Sequence, residues 1–116
     1  MAFPSDDDAA RVLPLTPAVF HILLALSGAE RHGYGIMQEI QGHSGGRVRM
    51  GPGTLYGTLQ RLMDADLMDE SSRRPPASTD DPRRRYYRLT RLGRRVLSLE
   101  VERMAALVQV ARTQGA

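Results

Sequence analysis

The chain contains no cysteine, no tryptophan and no lysine among its 116 residues. Without cysteine there are no disulfides, thiolate metal ligands or cysteine nucleophiles, which fits a reducing compartment. Long apolar runs are missing as well. Ile22 to Leu26 is among the longest, far too short to span a bilayer. The stretch from Met1 to Ala10 carries three aspartates and no basic segment, so no secretory signal is expected and a cytosolic protein is. What remains is ordinary: 41% hydrophobic and 25% charged residues exclude global disorder. A length of 116 residues suits one domain with one core.

The absence of lysine makes all 16 basic residues arginine. Arginine offers a planar fork for phosphate and guanine, although a GC-rich genome would produce the same bias. Distribution is more telling. Residues 1–72 hold five arginines against nine acids, a net of −4, whereas residues 73–95 hold nine arginines against Asp80 and Asp81, a net of +7. The remainder balances at zero. A dense basic block on an otherwise acidic chain points to a polyanionic partner.

Local signals set the order of elements. Leu15-Thr16-Pro17 is a helix start: Thr16 caps, Pro17 suits the first helical position and Leu15 staples onto Phe20. Val19, Ile22, Leu23 and Leu26 repeat with helical spacing until Ser27-Gly28. A second, shorter helix is expected over residues 34–41, with Ile36, Met37 and Ile40 inward and Gly33 and Gly35 blurring its start. Residues 47–50 alternate as a short strand would. Gly51-Pro52-Gly53 opens a third helix ending around Asp66, with Leu55, Leu59 and Leu62 buried and Thr54, Gly57, Thr58 and Arg61 opposite.

Residues 67–72 and 84–89 read as the strands of a hairpin, Tyr87 and Leu89 pointing inward, around a polar tip at residues 73–83. Thr90 caps a final helix running to about Thr113. Two apolar seams run along it: Leu97, Val101, Met104, Val108 and Ala111, and beside them Leu92, Val96, Leu99 and Val110, interrupted by Arg103. That is more apolar face than a 90-residue body needs. Three helices followed by a hairpin describe a mainly α winged helix-turn-helix with a small β-hairpin, extended by a long C-terminal helix. The expected division is a flexible acidic tail at 1–12, a DNA-binding domain at 13–90 and a dimerisation helix with its tail at 91–116.

Against that order, three motifs fall into register. His32-Gly33-Tyr34-Gly35-Ile36, then Gly53-Thr54-Leu55-Tyr56 leading to Leu59 and Arg61-Leu62, then Arg85-Tyr86-Tyr87-Arg88-Leu89-Thr90 with Gly93, resemble the PadR family of bacterial transcriptional regulators. The likeness runs from about Leu15 to Arg103. It implies a homodimeric winged-helix repressor, paired through its C-terminal helix and commonly responsive to small aromatic or hydrophobic molecules. With one helix after the wing, the chain resembles the short-form subgroup. Asp66 stands where the family usually has glycine, and aspartate tolerates a left-handed backbone better than most residues. The absence of tryptophan puts in doubt the stacking of planar drugs that some short-form members perform.

On this frame Thr54, Thr58 and Arg61 are candidates for phosphate and base-edge contact, since arginine to guanine is the commonest specific contact in a major groove. Tyr56 either bonds a phosphate through its hydroxyl or packs the helix with that hydroxyl at the rim. Arg83, Arg84 and Arg85 are candidates for wing contact with the phosphate backbone, supplying affinity without sequence information. Arg47 and Arg49 either reach a phosphate or pair with a nearby acid, and Tyr34 is expected to pack. The dimer contact is assigned to Leu97, Val101, Met104, Val108 and Ala111. His21, His32 and His43 lie eleven residues apart without carboxylates at ligand spacing, so neither metal nor cofactor is expected. Gly51-Pro52-Gly53 lacks the lysine and hydroxyl of a phosphate-cradling loop, and no nucleophilic triad stands out. The expectation is a DNA-binding regulator, not an enzyme. A winged-helix protein-assembly module is the rival, disfavoured because such a face should show apolar anchors rather than Arg and Thr. A regulator of the MarR type is a nearer rival, disfavoured because only about 15 residues precede the first helix.

Overall fold

A computed structural model describes residues 6–72 and 84–116 of the chain. Helix α1 spans Asp6–Ala10, α2 Pro17–Gly28, α3 Gly33–His43, α4 Pro52–Asp64 and α5 Arg91–Thr113. Strand β1 is Arg31–His32, β2 Met68–Glu70 and β3 Tyr86–Leu89. The strands form one antiparallel sheet in the order β1-β3-β2, with Asp69 opposite Arg88 and Met68 opposite Leu89. This is the expected winged-helix order, with β2 and β3 as the wing.

Side-chain caps set the starts of α2, α3 and α5. The Val19 amide donates to Thr16 Oγ1 at 3.2 Å and the Gly93 amide to Thr90 Oγ1 at 3.0 Å. Helix α3, whose start the glycines obscured, is capped by His32, whose Nδ1 accepts from the Gly35 amide at 3.0 Å. Helix α4 ends in a Schellman turn: the Leu67 amide donates to Leu62 O at 2.9 Å and the Asp66 amide to Met63 O at 3.0 Å. Asp66 takes the left-handed conformation this turn requires, with φ of 61°.

The core joins Ile22, Leu23 and Leu26 of α2, Ile36 and Ile40 of α3, Leu55, Leu59 and Leu62 of α4 and Val96 of α5. Gly93 lets α5 meet the chain leaving α4 at close range. A Cβ there would lie 1.9 Å from the Leu67 carbonyl oxygen.

Three expectations are corrected. Residues 47–50 are not a strand: both edges of β3 are occupied, one by β2 and the other by β1 at Arg31–His32. Val48 instead uses its backbone amide and carbonyl on Ser44 Oγ, at 3.0 and 3.3 Å. Second, part of the tail expected to be flexible is helical. Ala9 of α1 is wholly buried and α1 packs on α5, while aspartates occupy its first turn, where negative charge favours the helix dipole. Third, Leu97 is only 7% exposed and belongs to the chain's own core, not to a surface seam. The expected polar tip, Arg83 included, lies outside the described residues.

Candidate functional site

Helix α4 buries Leu55, Thr58, Leu59 and Leu62 and exposes Gly53, Thr54, Gly57, Gln60, Arg61 and Asp64. The sequence reading therefore set the outer face one position off at Thr58, which is 2% exposed. Its spacing from Leu55 and Leu62 puts it on the buried stripe. The Thr58 hydroxyl donates to the Thr54 carbonyl at 2.8 Å and accepts from Arg61 Nη2 at 3.2 Å. Thr54 and Arg61 remain on the surface, joined by Gln60, which sequence reasoning missed although it shares their helical face; its amide donates to Asp64 Oδ1 at 3.0 Å. A Cβ built on Gly57 would meet nothing within 4 Å. The fold itself does not need glycine there.

Beside α4 lies a cleft of about 400 Å³ lined by His32, Gly33, Tyr34, Tyr56, Arg84, Arg85 and Tyr87. Four elements meet in it: the end of β1, the start of α3, the first turns of α4 and the wing strand β3. Tyr56 is 49% exposed, with its hydroxyl laid against Gly33, where a Cβ would come within 2.3 Å of the phenolic oxygen. The Tyr56 ring end therefore packs on Gly33 while the residue lines the cleft. Tyr34, expected to pack, is 51% exposed and instead stacks on the His32 ring at 6.5 Å between centroids. The Arg84 guanidinium sits 5.6 Å from the Tyr34 ring centre, and its Nη1 is 3.1 Å from His32 Nε2. Arg85 is exposed and 3.9 Å from Glu70. Burial, then the nearby Tyr56 and Glu70, push the Tyr87 hydroxyl above the usual tyrosine range, so it stays a neutral donor.

A second cleft of about 420 Å³ continues past Tyr34 along Gln38, Arg49, Met50 and Gly51. Arg47 and Arg49 are both exposed, and neither pairs with an acid among the described residues. The two clefts together carry Arg49, Arg84 and Arg85 among tyrosine and glutamine side chains, with Met37 and Met50 in the wall of the second.

Helix α5 changes character at its middle. Val96, Leu97 and Glu100 are buried, whereas every residue from 101 to 110 is exposed. That half presents Val101, Met104, Leu107, Val108 and Val110 as exposed large apolar side chains, with Ala111 partly covered. At the midpoint the buried Glu100 carboxylate accepts from the Leu15 amide at 2.7 Å and from Arg103 Nε. Arg103's hydrogen bond, helped by the Leu15 amide, holds the Glu100 carboxyl below the usual carboxylate range despite burial. An apolar groove of about 360 Å³ runs between α2 and α5, with Leu24, Leu97 and Val101 in its wall.

Among the described residues no group of His, Cys, Asp and Glu gathers where it could hold a metal ion. His21 and His43 stack at 6.2 Å, but His32 lies apart in the cleft. No described helix is long and apolar enough to cross a membrane.

Comparisons agree with this architecture. Residues 22–99 match the model of the family described as "Transcriptional regulator PadR-like family". The transcriptional regulator Rv3488 of Mycobacterium tuberculosis is 40% identical over 92 residues, covering 79% of this chain and 77% of that protein. An uncharacterised 37.1 kDa protein in transposon TN4556 of Streptomyces fradiae is 40% identical over 89 residues, 74% of this chain but only 22% of that protein. The chain therefore spans about a fifth of that relative's length. The crystal structure of a PadR family transcription regulator from Clostridium difficile superposes with a TM-score of 0.70 at 21% identity, covering 87% of this chain and all of that one. The chain belongs to the PadR-like family of transcriptional regulators, a family of regulators and not of enzymes.

Proposed function

We propose that the chain is a repressor that binds an inverted-repeat operator as a homodimer and is released by a small hydrophobic or aromatic effector. The observation that carries the reading is the exposed α4 face, Thr54, Gly57, Gln60 and Arg61, beside a cleft holding Arg84 and Arg85. A helix with a flat polar face suits a major groove, and arginines on an adjacent hairpin suit the flanking phosphates. Arg61 reads guanine, Gln60 and Thr54 face neighbouring bases or phosphates, and Arg84, Arg85 and the Tyr56 hydroxyl hold the backbone. The expected wing contact of Arg83 belongs to the same proposal.

One α4 and one wing touch only a few base pairs, too little surface for operator affinity at physiological salt. Dimerisation supplies the second half. The exposed Val101, Met104, Leu107 and Val108, with the partly covered Ala111, favour pairing with a second copy. Leu97, buried in its own chain, is not part of this contact. For release, the α2–α5 groove, about 360 Å³ and walled by Leu24 and Val101, is the favoured effector seat. A ligand wedged there changes the separation of the two α4 helices.

The test is selection of duplexes from a random library by the purified protein, followed by anisotropy titration of the enriched sequence. An inverted repeat bound far more tightly than scrambled DNA is expected; enrichment of no sequence would reject the reading.

A further inference from the structure

We infer that Thr58, although buried and out of reach of DNA, is a positioning residue that fixes how Arg61 presents its guanidinium to a base. This rests on the DNA-reading role proposed for α4 and adds to it a residue that sets specificity from inside the protein. Thr58 is 2% exposed and sits on the apolar stripe with Leu55, Leu59 and Leu62. Its hydroxyl has one proton, donated to the Thr54 carbonyl at 2.8 Å. Toward Arg61 it is therefore only an acceptor, and it takes Nη2 at 3.2 Å.

The contact has a direction. Helical side chains lean toward the N-terminus of their helix, so a residue at position 61 lies over its i−4 and i−3 neighbours, Gly57 and Thr58. Gly57 presents no side chain to obstruct it, and Thr58 anchors one nitrogen. The guanidinium is thereby held back toward the end of α4 that enters a groove first, with other N–H groups left for a guanine edge. A long side chain that would otherwise lose several rotamers on binding is ordered beforehand.

The fold does not need the hydroxyl. In an apolar stripe the isosteric valine would fill the same space, and the Thr54 carbonyl is already within α4. Threonine at this position is explained by Arg61, not by packing.

The experiment compares wild type, R61A, T58V and T58S by duplex selection and by anisotropy on single-base variants of the selected site. R61A identifies the base pair that Arg61 reads. T58V is expected to fold with an unchanged or higher melting temperature and to lose about ten-fold of the preference at that same pair, the discrimination of one hydrogen bond to a charged group. T58S, which keeps the hydroxyl, should stay within about two-fold of wild type, an outcome a purely structural role would not produce. T58V should also keep the wild-type slope of log affinity against log salt, because no charge is removed. T58A, which lacks the hydroxyl without adding a methyl, gives the same readout if valine disturbs folding. Loss of preference in R61A with full retention in both T58V and T58A would overturn the inference while leaving DNA reading by α4 intact. No change of preference in R61A would overturn it together with the role of Arg61.

Discussion

Gly57 separates what folding needs from what binding needs. A glycine inside a helix costs roughly 0.5–1 kcal/mol relative to alanine, and around Gly57 no neighbour within 4 Å demands it. Gly57→Ala is therefore expected to raise stability by about that amount in denaturant melts, while weakening DNA binding in anisotropy titrations because the added methyl stands where the groove wall comes close. Tighter binding by this variant would contradict the assigned face. At this scale the sequence was legible wherever a residue's own backbone preference decides the outcome. Thr16 and Thr90 cap as their chemistry suggests, and Asp66 takes the left-handed turn that a glycine would ordinarily fill. It was illegible where a side chain has two tolerable environments. Thr58 looks like a surface threonine until its register with Leu55 and Leu62 is counted, and His32 caps a helix through a ring nitrogen, for which no spacing rule exists.

Among the elements, the wing carries the charge argument. Arg84 and Arg85 project from the strand end into the cleft. Replacing both with alanine is expected to weaken binding to all sequences alike and to lower the slope of log affinity against log salt by up to about 0.9 per lost phosphate contact. An unchanged slope would remove the wing from the interface. Helix α5 offers a test by acidity. Because Arg103 and the Leu15 amide lower the Glu100 carboxyl, the stability it contributes is present above about pH 4.3, the ordinary unfolded value, and is lost as pH falls through its lower folded value. E100Q should thus melt below wild type at pH 6, with the gap narrowing as pH falls below about 4.3; a gap independent of pH would contradict the assignment. Long periodic helices were the most readable elements, α5 being found with both its bounds. The two-residue β1 was not readable, since so short a strand has no period and exists only because β3 offers it an edge. The alternation at residues 47–50 was real, with Val48 and Met50 half-buried, but no strand edge was left for it to join.

For the whole molecule, the uneven burial of α5 decides the architecture. Its first half completes the core, and its second half, about 20 Å of helix at 1.5 Å per residue, carries apolar side chains in solvent. Met104→Arg is expected to yield a monomer by light scattering, since an unpaired charge in an apolar contact costs several kcal/mol; an unaltered dimer would move the interface elsewhere. Sequence reading saw the surplus apolar face but assigned Leu97 to it, because helical spacing alone cannot tell a residue facing its own core from one facing a partner. The central claim, that two α4 helices read successive major grooves on one side of DNA, is tested most directly by inserting 5 bp between the half-sites of the selected operator. Half a helical turn puts the half-sites on opposite faces, so anisotropy titration should show affinity falling toward the non-specific level and recovering with a 10 bp insertion. Binding that survives the 5 bp insertion intact would contradict the two-groove dimer.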